Sequence, residues 1–365
     1  MRVVIIGGGA SGVAAAIRIK QNNQEAEVLI LEHLSEILKK IHATGNGRCN
    51  VTNRNAEHYI EVANFLESLG LILREDTDGR MYPYSNQAGS VVDILTNACK
   101  NYGIQIKTDC TVKRIDCYDG IFYTYTNDKI IESDRLILAT GGKSQAPLGS
   151  DGSGYELAKQ LGHSITALYP ALVQMKSTGK LCRQLKGTRV KCNVKIETNG
   201  EVKGEDFGEL LFTDYGISGI VVMNLSYLIN DERLKNSIDR SVAILDLVPE
   251  MSEDDLVGHY NKFKSFSGIL PQKICSTISR QGNDNPEMMA KCIKNQRIII
   301  SGTKGYDFAQ ITGGGICDDE IDENNQSKIV NGLYIIGELQ DKQFECGGYN
   351  LNYAIYSGIK TADNI

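Results

Sequence analysis

Short apolar runs that stop at a glycine or an acid recur near both ends of the chain and alternate with amphipathic stretches. The apolar runs are Arg2–Ile6, Glu27–Leu31, 135–142 and 332–338. Runs of this length without polar alternation predict strands that are buried on both faces. Apolar residues at helical spacing predict helices over Ala10–Asn22, 57–69 and 90–102, and further strands are expected at 104–107, 111–116, Ile121–Thr126 and 129–132. This alternation is typical of an α/β fold with a parallel sheet.

The pattern changes at about residue 186, where short β-type runs are separated by glycine, asparagine and acidic turns. These runs are 189–197, 209–213 and 241–247. They predict a small barrel or curled sheet, whereas 252–295 predicts two or three short helices that begin at Ser252. We therefore predict a Rossmann-like domain split in sequence (1–185 and 309–365), an inserted small β-barrel domain (186–250 and 296–308) and a small helical subdomain (251–295).

The first predicted strand leads directly into a G-x-G-x-x-G pattern. Gly7 permits a tight turn, Gly9 lets the backbone approach a pyrophosphate, and Gly12 lets helix and strand pack closely. Glu32 follows the second strand, where an acid binds the hydroxyls of a ribose and disfavours NADP. The residues predicted to contact the dinucleotide here are Gly7, Gly9, Ala10, Ser11, Gly12 and Glu32.

Two later strands also end in residues suited to a ligand. Thr140 and Gly141 follow one of them, and Gly337 and Glu338 end the other. An acid after a glycine at a strand end suits the ribityl chain of FAD, although a turn at the surface is the alternative. Gly348 then opens the last helix, whose N-terminal N–H groups would stabilise negative charge at the N1/O2 edge of a flavin.

The stretch 39–53 is dense in polar residues and follows the second strand. Its predicted cofactor contacts are Lys40, Thr44, Gly45, Arg48, Cys49 and Asn50. The two basic residues Lys40 and Arg48 could balance phosphate charge. Cys49 has no second cysteine in the next dozen residues, so we expect a structural thiol rather than a dithiol relay. No acid or base of catalysis is evident; His42 and Tyr349 are the candidates.

The composition of the chain limits the binding partners and the location that we expect for it. The chain has 365 residues and a net charge of −6, which gives no electrostatic reason to expect nucleic acid or an anionic membrane. Its apolar stretches are too short to span a bilayer, and its N-terminus does not resemble a signal peptide. The ten cysteines lack closely spaced pairs, so we expect no metal site and a cytoplasmic location.

The chain resembles the BaiN/RdsA-type flavoproteins, which include aminoacetone-oxidase-like and YhiN-like proteins and a proposed bile-acid reductase. The resemblance covers nearly the whole chain and rests on Lys40 and on the segments 7–12, 44–53, 139–144, 149–155, 211–219, 310–315, 332–338 and 347–350. It implies tightly bound FAD, a Rossmann-like domain, a β-barrel insertion and a helical subdomain. The family's FAD contacts map onto Ser11, Glu32, Lys39, Lys40, Gly45, Val112, Glu338, Asn350 and Leu351. This chain departs from the family pattern at 145–147, Ile220 and 340–345.

These observations favour an FAD-dependent oxidoreductase that moves hydride between flavin N5 and a small organic substrate or NADH or NADPH. A second nicotinamide fingerprint is missing, so such a reductant would bind transiently. Reduction of an unsaturated substrate is the leading expectation. An amine oxidase that uses oxygen and a flavin-binding sensor without turnover are the alternatives; the acidic pI argues against an RNA-modifying enzyme. A monomer and a homodimer are both consistent with the sequence.

Overall fold

The structure is a computed structural model that describes residues 1–231 and 241–365; residues 232–240 of the predicted barrel domain lie outside the described residues. The strands are β1 (Arg2–Ile6), β2 (Glu27–Leu31), β3 (Thr52–Asn53), β4 (Leu73–Glu75), β5 (Arg80–Pro83), β6 (Gln105–Lys107), β7 (Val112–Tyr118), β8 (Ile121–Thr126), β9 (Ile130–Ser133), β10 (Arg135–Leu138), β11 (Tyr169–Ala171), β12 (Met175–Ser177), β13 (Arg189–Thr198), β14 (Glu201–Phe212), β15 (Gly216–Ser218), β16 (Ser241–Asp246), β17 (Gln296–Thr303), β18 (Ile311–Gly313) and β19 (Leu333–Ile335). The helices are α1 (Ala10–Asn22), α2 (Lys39–His42), α3 (Tyr59–Ser68), α4 (Ala88–Asn101), α5 (Ser153–Gln160), α6 (Lys180–Gln184), α7 (Ile220–Asn224), α8 (Tyr227–Asn230), α9 (Glu253–Phe263), α10 (Gln272–Gly282), α11 (Pro286–Lys294) and α12 (Tyr349–Ala362).

The described chain forms two compact units, one made of Met1–Leu168 with Ile311–Ile365 and the other of Tyr169–Gln310. The change between units therefore falls at 168/169 rather than at the predicted 185/186. The reason is that β12, which the sequence analysis did not predict, is one of the barrel strands. Its three residues are too few to give a periodic signal.

A five-stranded parallel sheet is the centre of the first unit, with the order β19-β10-β1-β2-β6. Alternate side chains of β1 point into two different cores: Val3 and Ile5 belong to one, and Val4 and Ile6 to the other. Burial on both faces explains why these strands are continuously apolar. The predicted α/β fold with a Rossmann-like parallel sheet is confirmed.

Parallel order brings the carboxyl ends of β1, β2, β10 and β19 to one edge of this sheet. Helix α12 packs along α1, since a Cβ on Gly358 would lie 2.4 Å from the Ser11 carbonyl oxygen. Two antiparallel three-stranded sheets, β3-β5-β4 and β7-β8-β9, complete the unit.

The second unit is built on a closed barrel with the order β12-β15-β14-β13-β16-β17, which confirms the predicted small barrel. Val194, Leu210 and Ala243 are fully buried in its core, which also includes apolar residues of α9, α10 and α11. Ser252 caps α9, and its predicted position at a helix start is confirmed. Across residues 1–231 and 241–365, no helix has both the length and the apolar character needed to cross a bilayer.

Candidate functional site

The glycine turn after β1 has the close contacts that its sequence pattern predicts. Gly7 adopts a φ of +110°, and a Cβ there would lie 2.3 Å from the Ala139 carbonyl oxygen. A Cβ on Gly12 would lie 2.2 Å from the Gly7 carbonyl oxygen. Gly9 differs, because a Cβ there would meet nothing within 4 Å. The open space lies at the start of α1, where N–H groups and the helix dipole favour an anion.

Glu32 lies beside this turn, at the end of β2, and is only 7% exposed. Its Oε2 accepts a hydrogen bond from the Gly8 N–H at 2.9 Å, and its Oε1 accepts one from the Leu34 N–H at 2.8 Å. The His33 Nδ1 lies 3.1 Å from the same Oε1. The carboxylate is therefore held against the loop and retains lone pairs for a hydroxyl donor.

The pKa of Glu32 is lowered and the pKa of His33 is raised. Burial raises the pKa of the Glu32 carboxyl, but the hydrogen bonds from His33, Leu34 and Gly8 outweigh burial, so its pKa lies below the ordinary 4.5. The hydrogen bond to Glu32 raises the pKa of His33 above 6.5, against the effect of burial, and Asp151 adds to the rise. The two groups thus stabilise each other in their charged forms.

Lys40 and Glu338, which are remote in sequence, form an ion pair at the same sheet edge. The Lys40 Nζ lies 3.0 Å from the Glu338 Oε2 and 3.5 Å from the Ser150 Oγ. The other oxygen of Glu338 accepts a hydrogen bond from the Thr312 N–H at 2.9 Å. A Cβ on Gly142 would lie 2.7 Å from that oxygen and 2.7 Å from the Thr312 Cβ, so the backbone after β10 passes close to both side chains.

The backbones at Gly141 and Gly337 both adopt left-handed conformations, with φ of +73° and +71°. A Cβ on Gly337 would lie 2.7 Å from the Ser11 Oγ, so the end of β19 passes directly over the start of α1. Thr140 is close to α5, because a Cβ on Gly154 would overlap its hydroxyl. The glycines let three segments converge on one small region.

Segment 44–50 forms a tight loop that contacts the start of α12. Gly45 has a φ of +57° and Cys49 one of +58°. Cys49 is fully buried, and burial raises the pKa of its thiol to about 11, so it supports the loop as an inert core residue. The Thr44 hydroxyl donates to the Ile41 carbonyl at 2.7 Å. A Cβ on Gly348 would lie 2.9 Å from the Asn50 Oδ1, which joins the loop to the helix.

The first turn of α12 offers backbone donors. The side chain of Asn350 is used within the chain, since its amide donates to the Phe344 carbonyl at 2.9 Å and its oxygen accepts from the Phe344 N–H at 3.0 Å. Leu351 packs against the core of the unit. Contacts of Asn350 and Leu351 with a cofactor would therefore use their N–H groups, which have no acceptor inside the helix.

The other predicted residues are more peripheral. Lys39 is 4.0 Å from the exposed Glu36, and Val112 is half-buried at the start of β7. Of the two candidate acid/base residues, His42 is exposed and Tyr349 is half-buried beside Gly347. Among the described residues, no group of three or more side chains could hold a metal ion.

Sequence reasoning did not identify His33, Thr312 or Tyr82 as parts of this region. Thr312 is fully buried, and its Oγ1 accepts from the Lys143 N–H at 2.7 Å. Tyr82 is buried behind the loop, 3.4 Å from the position of a Cβ on Gly45. The only signal for Thr312 is its place in the glycine-rich segment 310–315; the other two residues have no pattern of their own.

The chemistry of this region fits FAD. The buried Asn50 Oδ1 has no hydrogen-bond partner among the described residues, as expected of an acceptor that a ligand donor would satisfy. Open space at Gly9 suits a pyrophosphate, and Glu32 and Glu338 suit hydroxylated chains. The sequence model of the HI0933-like protein Rossmann domain family matches residues 1–62 and 58–364.

The chain belongs to the HI0933-like family. This confirms the predicted family relationship and the prediction of an FAD-dependent oxidoreductase. The chain is 34% identical to a 3-dehydro-bile acid delta(4,6)-reductase of Clostridium scindens, with 98% of this chain and 97% of the relative covered. It is 27% identical to a ribosomal RNA dihydrouridine synthase of Escherichia coli, with 99% and 97% covered.

A solved structure of a 3-ketosteroid-delta4-(5alpha)-dehydrogenase from Rhodococcus jostii RHA1 has the same fold. Its TM-score is 0.55 at 14% sequence identity, and the match covers 99% of this chain and 95% of that one. At this identity the likeness concerns the fold alone.

Proposed function

We propose that this protein reduces a carbon–carbon double bond conjugated to a carbonyl in a small organic substrate, with electrons carried by bound FAD. The observation that carries the proposal is the convergence of four strand ends, the 44–50 loop and the first turn of α12 on one region of the first unit. That region combines an open anion site with acids for two hydroxylated chains and a helix N-terminus.

In the proposed complex the chain's own groups bind and orient FAD. The N–H groups at the start of α1 hold the pyrophosphate, Glu32 accepts from the adenosine ribose, and Glu338 accepts from the ribityl chain. Lys40 pairs with Glu338 and offsets phosphate charge. The first-turn N–H groups of α12 stabilise negative charge at the ring edge. When bound, FAD supplies hydride transfer at N5.

The names of the relatives support this reaction class. A 3-dehydro-bile acid delta(4,6)-reductase and a dihydrouridine synthase both add hydrogen across a double bond conjugated to a carbonyl. The higher identity and the net charge of −6 favour a small molecule over RNA for this chain. Four basic side chains on the barrel strands are also paired with acids. These pairs are Arg189–Glu209, Lys195–Glu205, Lys203–Glu201 and Arg297–Glu197.

We propose NADH or NADPH as the reductant, bound transiently, since the sequence has one G-x-G-x-x-G helix start with a downstream acid. We also propose that the protein acts in the cytoplasm as a monomer or homodimer. Within the second unit, we propose that the helices of 251–295 are a subdomain distinct from the barrel domain.

The test begins with the flavin absorbance of the purified protein, followed by anaerobic titration with NADH and with NADPH. Addition of a 3-oxo-4-ene bile acid to the reduced protein should restore the oxidised spectrum, while the saturated 3-oxo compound should leave it unchanged. Reduction by aminoacetone and reoxidation by oxygen alone would instead favour an amine oxidase. Reoxidation by ribosomal RNA but not by the enone would favour RNA modification. A protein that no donor reduces would favour a sensor.

A further inference from the structure

The 44–50 loop holds Arg48 in an unusual way. Asn46 and Cys49 both adopt left-handed backbone conformations, with φ of +55° and +58°, although neither is glycine. Asparagine tolerates this region, whereas for a residue such as cysteine the conformation is strained and persists where the surrounding structure enforces it, often at functional sites. The enforcement is visible here, since the Cys49 N–H donates to the Thr44 carbonyl at 3.1 Å and the Cys49 side chain is fully buried. Arg48 lies between Asn46 and Cys49, directly before Cys49.

A series of direct contacts connects Arg48 with the helix terminus proposed to bind the flavin. A Cβ on Gly348 would lie 2.9 Å from the Asn50 Oδ1, and one on Gly45 would lie 2.9 Å from the Asn50 N and 3.4 Å from the Tyr82 ring. The Arg48 guanidinium lies over that ring, 4.2 Å from its centroid. The cation is therefore linked to the start of α12 through Tyr82, Gly45 and Asn50.

Arg48 also has hydrogen-bonding capacity to spare. Its side chain is 41% exposed, and its Nη1 lies 3.4 Å from the Asp76 Oδ2 in a long, exposed ion pair. A guanidinium carries five N–H donors in a rigid plane, of which this contact uses one. Stacking on Tyr82 orients the plane without using any of the donors. A planar cation of this kind is suited to an oxygen of a bound ligand.

We propose that Arg48 binds the carbonyl oxygen of the unsaturated substrate and stabilises the negative charge that develops there during reduction; this rests on the proposed function. The β-carbon of the enone accepts hydride, the π pair moves towards the carbonyl oxygen, and the α-carbon then takes a proton from water. The two electrons come from the nicotinamide donor by way of FAD. Arg48 thus acts on the substrate, whereas the sequence analysis predicted a cofactor contact.

The experiment compares the FAD-loaded wild type with R48M, R48K and the matched control R74M. Arg74 is an exposed arginine on β4, in the three-stranded sheet that contains Tyr82. Its guanidinium lies 5.2 Å from the ring centroid of Tyr84, and it has no part in the proposed site. Binding of 4-chlorophenol, whose phenolate resembles a planar enolate, is measured by the change in the flavin spectrum. Thermal midpoint and flavin-to-protein ratio are measured for each variant.

We expect R48M to bind the phenolate about 10- to 100-fold more weakly, as for the loss of a charge-assisted hydrogen bond, with its FAD content unchanged. R48K should lose less of its affinity for the phenolate, and R74M should bind the phenolate as tightly as the wild type. The kcat for reduction of the 3-oxo-4-ene bile acid should be lower for R48M than for the wild type. The rate at which NADH reduces the flavin should stay the same.

Equal phenolate binding by R48M and wild type would overturn the role of Arg48 and leave the proposed function standing. Loss of FAD from both R48M and R48K would also overturn it and favour the cofactor contact. If the wild type neither binds the phenolate nor reduces the enone, the proposed function fails and this inference fails with it.

Discussion

Glu32 shows at the residue scale how one side chain can serve both the loop and a ligand. The Glu32→Gln variant replaces one carboxylate oxygen by a donor, although Glu32 accepts from Gly8, Leu34 and His33. We expect FAD to bind about 10-fold or more weakly, since a hydrogen bond to a charged group contributes about 1.5–3 kcal/mol. Calorimetric titration of the apoprotein with FAD measures the change.

Glu36→Gln is the matched control for this variant. Glu36 is a neighbouring acid that is largely exposed and lies 4.0 Å from Lys39. Its substitution should leave FAD affinity unchanged. Equal affinities for Glu32→Gln and wild type would remove Glu32 from the cofactor site.

The His33–Glu32 pair predicts a particular dependence of stability on pH. The pKa of Glu32 is lowered in the folded state, so its contribution is present above the ordinary 4.5 and is lost as pH falls through the folded pKa. The pKa of His33 is raised, so its contribution is present below 6.5 and is lost as pH rises through the folded pKa. The stabilisation by the pair should therefore be greatest between about pH 4.5 and 6.5.

Chemical denaturation of wild type and His33→Gln across pH 4–9 tests this window. The difference in the free energy of unfolding should be largest inside the window and decline on both sides. In the Glu32→Gln background, the same histidine substitution should have little dependence on pH. A difference that stays constant across the range would show that the pair is not ionised as described.

At the scale of elements, two glycines of the same turn should respond differently to alanine. Gly12→Ala places a Cβ 2.2 Å from the Gly7 carbonyl oxygen, so β1 and α1 must separate and the apoprotein should lose stability by several kcal/mol. Gly9→Ala meets no protein atom within 4 Å, and Gly9 has an ordinary extended backbone with φ −76°. Its apoprotein should be as stable as the wild type.

The two variants should differ again when FAD is added. The Cβ of Gly9→Ala would occupy the space that we assign to the pyrophosphate, so FAD affinity should fall by about 10-fold or more. Thermal unfolding of each apoprotein, followed by FAD titration of the folded variants, separates the two effects. Normal FAD affinity in Gly9→Ala would place the pyrophosphate elsewhere.

The strands and helices also differ in how well the sequence predicts them. β1, the glycine turn and α1 are consecutive in sequence, so local pattern was enough to predict them. The first eight residues of β14, 201–208, were missed because half of them are charged and most are exposed to solvent. The sequence predicted a small barrel or curled sheet but not the order of its strands. The pairing of β12 with β17, for example, joins segments more than a hundred residues apart.

The candidate site also contains some features that the sequence predicts and others that it does not. Glycines and acids at strand ends mark Gly7, Glu32 and Glu338 in the sequence. Hydrogen bonds such as that of the Thr312 N–H to Glu338 depend on the tertiary fold and leave no local signal. The orientation of Asn50 towards Gly348 belongs to this second group.

At the scale of the whole molecule, each unit has its own buried core, and FAD should stabilise only the unit that contains the cradle. We expect two thermal transitions. FAD at 100 times its dissociation constant should stabilise one of them by about 2.7 kcal/mol. Ser252→Ala removes the capping box of α9, which belongs to the second unit. It should lower the free energy of unfolding of that unit by about 1 kcal/mol.

Differential scanning calorimetry with and without FAD measures both shifts, and release of flavin fluorescence identifies the transition of the first unit. Ser252→Asp, which keeps a capping oxygen, is the control and should resemble the wild type. A single transition that moves with both FAD and Ser252→Ala would show that the units unfold as one.

The packing of Gly337 over Ser11 also constrains how the enzyme acquires its cofactor during biosynthesis. The glycine turn leaves the ribosome early, but β19, Glu338 and α12 follow only after the entire second unit has been translated. On the proposed assignment, a nascent chain at that stage lacks the ribityl contact of Glu338 and the first turn of α12. We therefore expect FAD loading to be a late event, and a ribosome that stalls before residue 333 should yield a chain that does not retain the flavin.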